Sequence, residues 1–141
     1  MNPFGFAAVA TAALVLVLSG PAGAADAGYA CSFTEGTSFS YGKGKFVPEA
    51  VSTLAFSIGD INEKAQTATL DTGRGTSVLK LAQAVNATHF LEVANEGYLN
   101  VTTVYEKDDA TGLYPAVHSR HLALLGQPIV TQYHGFCRPK G

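Results

Sequence analysis

The segment from Ala116 to Pro128, AVHSRHLALLGQP, gathers two of the chain's four histidines and an arginine within four residues, His118 to His121. Imidazoles ligate metals and carry protons near neutral pH, and a guanidinium grips carboxylates and phosphates. On a helix, His118 and His121 would converge on one ion. On a strand, neighbouring side chains alternate between faces, which puts His118 with Arg120, Ala116 and Leu122, and His121 with Ser119, Val117 and Ala123. A zinc site needs four ligands in structural form, so His89 or His134 would have to arrive from other strands. The segment therefore reads as a strand, with no metal and no cofactor. His121 supplies its polar position on the inner face, and the His118–Arg120 pair forms a polar recognition patch on the other. His89 shares a face with Leu91 and Val93, which makes it the best candidate for a buried, partnered histidine. His89, His118 and Arg120 are the candidate ligand-binding residues.

The elements that would carry these residues are strands. Turn clusters recur at short intervals: GKGK at 42–45, VPE at 47–49, GDINEK at 59–64, DTGRGT at 71–76, NEG at 95–97, DDATG at 108–112 and GQP at 126–128. Between them lie β-branched and aromatic runs, the pattern of an all-β domain. Leu54, Phe56 and Ile58 fall on one face, and Leu79, Leu81 and Val85 line up likewise. In the clearest hairpin, a three-residue loop Asn95-Glu96-Gly97, with Gly97 in the left-handed position, pairs Val93 with Leu99 and Leu91 with Val101. These four apolar residues then form the expected core face, with Phe90, Glu92, Asn100 and Thr102 on the other. Asp60-Ile61-Asn62-Glu63 has capping-box spacing, but no apolar helical face follows, so at most one turn forms. The expected architecture is eight or so antiparallel strands in meander order, an up-and-down β-barrel of lipocalin-like size or a two-layer sandwich. Either avoids long open edges.

The N-terminus sets the compartment. Residues 7–18, AAVATAALVLVL, form an apolar core followed by small residues, the layout of a secretory signal peptide and too short for a bilayer-spanning helix. Ala22-Gly23-Ala24 and Ala25-Asp26-Ala27 offer cleavage sites, although no Lys or Arg precedes the apolar core; a retained N-terminal anchor is the alternative. Residues 1–24 are thus expected as signal peptide and 28–141 as one domain, with no transmembrane segment after cleavage. The formal net charge is −2, which gives no field to steer nucleic acid. Export into an oxidising compartment favours a disulfide between the two cysteines, Cys31 and Cys137.

Asp71-Thr72-Gly73 resembles the catalytic triplet of the aspartic proteases, and Leu124-Leu125-Gly126 loosely resembles the motif that supports it there. The retroviral-type members pair two such aspartates in a dimer. Arg74 stands where that family has a small residue, and the segment after Gly126 reads as strand rather than helix. Asp71 is nonetheless the catalytic residue that the alternative reading, a hydrolase, would use. Asn86-Ala87-Thr88 and Asn100-Val101-Thr102 match the glycosylation sequon. Phe and Tyr residues from Phe33 to Phe136, spread over nearly every strand, suit a filled core or an aromatic-lined cavity.

NATHFLEVANEGYLNVTTVY and PAVHSRHLALLGQPIVTQYHGFC together resemble a group of small, uncharacterised exported bacterial proteins. The resemblance spans about half the chain and implies a periplasmic or secreted setting and the terminal disulfide; it carries no residue role. The sequence thus leads to a non-enzymatic exported β-barrel that binds a small apolar ligand or an envelope component.

Overall fold

The computed structural model describes residues 28–94, 97–124 and 126–140; the expected signal peptide lies outside them. Nine strands follow in order: β1 (Tyr29–Gly42), β2 (Lys45–Ala50), β3 (Leu54–Asn62), β4 (Thr67–Asp71), β5 (Thr76–Gln83), β6 (Ala87–Ala94), β7 (Tyr98–Tyr105), β8 (Tyr114–Leu124) and β9 (Gln127–Pro139). From β3 to β9 each strand pairs antiparallel with the next, and β9 returns to β1. The sheet therefore closes as an up-and-down barrel and not as a sandwich. Closure removes the long free edges that an open meander would expose; among the described strands the short β2 pairs with β1 alone.

β2 and β3 lie end to end along the same edge of β1. β3 pairs with Tyr29–Phe33 and β2 with Thr37–Gly42, so the two form one stave broken at residues 51–53, and the barrel has eight staves. β1 answers the break with a register shift against β9 between Phe33 and Glu35. One extra residue in a strand exchanges its two faces. Cys31 and Phe33 point inward below the shift, and above it Gly36 and Ser38 do. At its far end β1 turns into β2 through Lys43 (φ 51°) and Gly44 (φ 78°), the two left-handed residues of a tight hairpin whose twist matches its strands.

The core is the inner layer of the lower part of the barrel: Phe33, Phe56, Ile58, Leu70, Leu79, Leu81, Phe90, Val104 and Tyr133. Each fully buried apolar side chain of this size contributes about 1.5–3 kcal/mol. Phe33 packs on Phe56 at 5.4 Å and edge-on to Tyr133 at 6.5 Å between ring centroids. Cys31 and Cys137 are directly paired on β1 and β9 and joined by a disulfide that closes a separation of 106 residues.

Three expectations need correction. The β6–β7 hairpin has the expected register, Val93 opposite Leu99 and Leu91 opposite Val101, and Gly97 is left-handed at φ 83°. Its faces are reversed, however. Phe90 is 1 % and Thr102 4 % exposed, whereas Val93 is 69 % and Leu99 39 % exposed. Register fixes which residues face each other, not which set faces inward. The inner set carries the largest apolar side chain, Phe90, and its polar members find partners, which offsets their desolvation. Second, β5 ends at Gln83, leaving Val85 outside the strand and exposed beside Asn86. Third, the capping function at this β3–β4 connection belongs to Asn62 rather than Asp60: Asn62 Oδ1 accepts the backbone N–H of Ala65 at 2.9 Å, and residues 63–66 form a turn.

Candidate functional site

The polar residues of the barrel interior form a row that no single segment reveals. Glu92 on β6 lies opposite Asn100 on β7, Asn100 opposite Arg120 on β8, and Arg120 opposite Thr131 on β9. Thr131 lies opposite Ser38 on β1, and Ser38 opposite Glu49 on β2. Five neighbouring staves thus place a polar side chain at one level of the interior, and Glu49, exposed on β2, extends the row to the rim. Ser38 and Thr131 hydroxyls bond at 2.9 Å, and Ser40 donates to Glu49 Oε1 at 3.0 Å. One layer deeper runs a second row in register, Phe90, Thr102, His118, Tyr133 and Gly36. Gly36 is required there: a Cβ would stand 2.7 Å from Gln132 O and 2.9 Å from Val51 Cγ2.

His118 is 3 % exposed and ringed by Phe33, Phe56 and Tyr133 at 5.2–6.0 Å. Arg120 Nε donates to its Nε2 at 3.2 Å, so that nitrogen carries no proton. Nδ1 is then the protonated nitrogen and donates to Thr102 Oγ1 at 2.8 Å. Burial, and next the charge of Arg120, lower the His118 pKa to about 4, with Glu92 opposing them. The imidazole is neutral at neutral pH, has both nitrogens engaged, and serves as a support for Arg120. The guanidinium also lies 5.6 Å from the centroid of the Tyr133 ring, in cation–π range.

Glu92 is held independently. Ser77 Oγ donates to its Oε1 at 2.6 Å and Asn100 Nδ2 to its Oε2 at 2.8 Å. Because a carboxylate only accepts, the Asn100 amide nitrogen must face Glu92 and its Oδ1 must face away. That Oδ1 is the single buried side-chain polar atom without a hydrogen-bond partner among the described residues. An unmet buried acceptor costs about 1–3 kcal/mol, and marks this row as incompletely satisfied.

Above the row the barrel is open. Glu92, Tyr98, Asn100, Arg120, Leu122, Ile129 and Thr131 line a cavity of about 370 Å³, whose floor is polar and whose upper wall is apolar. Depressions at the opposite end measure about 330 and 510 Å³. The larger is walled mainly by exposed residues such as Val85, Asn86 and Lys107. The mouth above Arg120 combines a concave apolar wall with a charged floor held in place by the buried rows beneath it.

The structure unites two of the three expected ligand-binding residues and separates the third. His118 and Arg120 share a face as expected, but it is the inner face; His121 is exposed on the outer one. His89 is half-buried on the outside of β6, where Nδ1 bonds Thr103 Oγ1 at 2.9 Å; the buried, partnered histidine is His118. Sequence reasoning passed over Glu92 and Asn100 because it placed their face outside. Asp71 is exposed at the β4–β5 turn, and its Oδ1 accepts the N–H of Gly73 at 2.8 Å. Of the two sequon asparagines, Asn86 is exposed and Asn100 faces the interior. Among the described residues no group of three or more His, Cys, Asp or Glu side chains is placed to hold a metal ion, and no helix is long and apolar enough to cross a membrane, which says nothing of the strands. No protein family and no curated sequence matches the chain.

Proposed function

We propose that this chain is an exported, non-enzymatic β-barrel binding protein that seats a small molecule in the barrel mouth, over Arg120. The observation that carries this reading is the Arg120 guanidinium. It faces a cavity, is steadied from below by His118 and Tyr133, and its terminal nitrogens bond to no described residue. The unmet Asn100 Oδ1 beside it supports the same reading. To the apolar ligand expected from the aromatic content the mouth adds a polar end, because its floor carries Glu92, Asn100 and Arg120 beneath Tyr98, Leu122 and Ile129. Export rests on the signal-like residues 1–24 and agrees with the disulfide.

The test is a screen of a diverse fragment set by amide chemical-shift mapping on the disulfide-intact protein. Binding at the mouth shifts Tyr98, Asn100, Arg120, Leu122 and Ile129, and Leu122→Trp, which fills the cavity, removes the effect. A set that shifts none of these residues, or shifts only the opposite end, overturns the reading. So does a hydrolytic activity that Asp71→Asn abolishes.

A further inference from the structure

We propose that the mouth selects a zwitterion with an apolar body, of the α-amino-acid type, its ammonium against Glu92 and its carboxylate against Arg120. This deepens the binding reading above and rests on it.

Glu92 and Arg120 line one cavity with opposite charges, yet no hydrogen bond joins them among the described residues. Two flexible side chains of opposite charge in a partly desolvated space ordinarily collapse into an ion pair. Here each is tied elsewhere. Ser77 and Asn100 anchor both oxygens of Glu92, and His118 with the Tyr133 ring anchors Arg120. Asn100 stands between the two charges on the intervening strand and is opposite both in register. The floor is therefore a fixed dipole, negative on β6 and positive on β8.

The remaining capacity of each end is complementary to one half of a zwitterion. Each carboxylate oxygen of Glu92 accepts one bond from the protein and can accept another, while Arg120 retains terminal N–H donors suited to a carboxylate. A ligand with a single charge is attracted by one end of the floor and repelled by the other; a zwitterion meets both favourably. Because His118 stays neutral well below neutral pH, it adds no third charge to blur this pattern. Tyr98, Leu122 and Ile129 line the upper cavity and would cover the apolar body. The volume of about 370 Å³ falls within the range of small-molecule sites.

Three compounds sharing one branched hydrocarbon body isolate the charges: leucine, 4-methylpentanoate and 3-methylbutylamine. Titrated against the disulfide-intact protein and followed by the mouth amide shifts, leucine binds at least ~10-fold more tightly than either analogue. Glu92→Gln removes its advantage over the acid, and Arg120→Gln removes its advantage over the amine. Arg120→Lys, which keeps the charge, preserves the preference for leucine and guards against a variant that merely disturbs the fold. Equal affinities for the three compounds, or an advantage that survives both charge-neutralising variants, overturn the zwitterion. If members of the diverse fragment set shift the mouth but leucine does not, the zwitterion falls and the binding reading stands. If nothing shifts the mouth, the binding reading falls and takes this inference with it.

Discussion

Arg120 Nε donates to His118 Nε2 across 3.2 Å, so a cation rests on an imidazole that must stay neutral to receive it. The pair is reached from residues two apart on one strand, both inward, stacked along the barrel axis. Its consequence is electrostatic: protonating His118 both desolvates a charge and sets it against Arg120.

That arrangement fixes the sign of a pH effect. The unfolded chain protonates His118 near its ordinary value of 6.5, the folded one only near 4, so the unfolded state binds more protons between these values. The contribution is whole above about pH 6.5 and declines as pH falls toward about 4. Between about pH 7 and about pH 5 the wild type should lose on the order of 2 kcal/mol from this residue. Urea unfolding of wild type and His118→Gln at both pH values checks it: the variant, less stable at neutral pH, should lose correspondingly less on acidification.

The reversed hairpin faces are testable by a pair of substitutions three residues apart. Phe90→Ala empties a core position and should cost about 3–5 kcal/mol. Val93→Thr alters an exposed side chain and should stay within about 0.5 kcal/mol. Unfolding midpoints in the opposite order would restore the sequence-based orientation.

Gly135 lies opposite Phe33, tight against the β1 backbone. A Cβ there would collide with the Ser32 carbonyl and stand 2.7 Å from Phe33 Cα. Gly135→Ala should destabilise by about 2–3 kcal/mol, because backbone cannot swing aside as a side-chain tip can. Gly75→Ala is the control, since a Cβ there meets nothing within 4 Å and the unfolding midpoint should hardly move.

Replacing both cysteines, Cys31→Ala with Cys137→Ala, should cost about 4–5 kcal/mol on the chain-entropy account of a loop this long. Chemical denaturation measures the loss. A peptide map of the unreduced wild type should yield a Cys31–Cys137 linked fragment.

Local patterns in the sequence were enough to make the strands and the hairpin register legible. Leu54, Phe56 and Ile58 alternate as a half-buried strand must, and Gly97 could occupy only one place in its loop. The disulfide followed from two cysteines near the ends of a domain preceded by a signal-like segment. The inside of the barrel was harder to read for a definite reason. Between Leu91 and Val101 the face with more aliphatic residues turned outward, because Phe90 outweighed them in size and Glu92, Asn100 and Thr102 acquired partners across the sheet. Those partners lie 8 to 16 residues away in sequence, and periodicity within one strand carries no information about them. The polar row depends on register across five successive strand pairings, including the shift in β1 that alternation alone does not reveal.

The pairing of Tyr29 with Pro139 and the bond from Lys140 N to Gly28 O at 2.9 Å bring both ends of the barrel chain together. Ser38, at the level of Arg120, stands nine residues further along β1, roughly 30 Å of strand. Any tether joined at either of these ends therefore attaches at the pole away from the mouth. A surface-immobilised or fused form of the protein would keep its opening turned toward solution, without any linker designed to orient it.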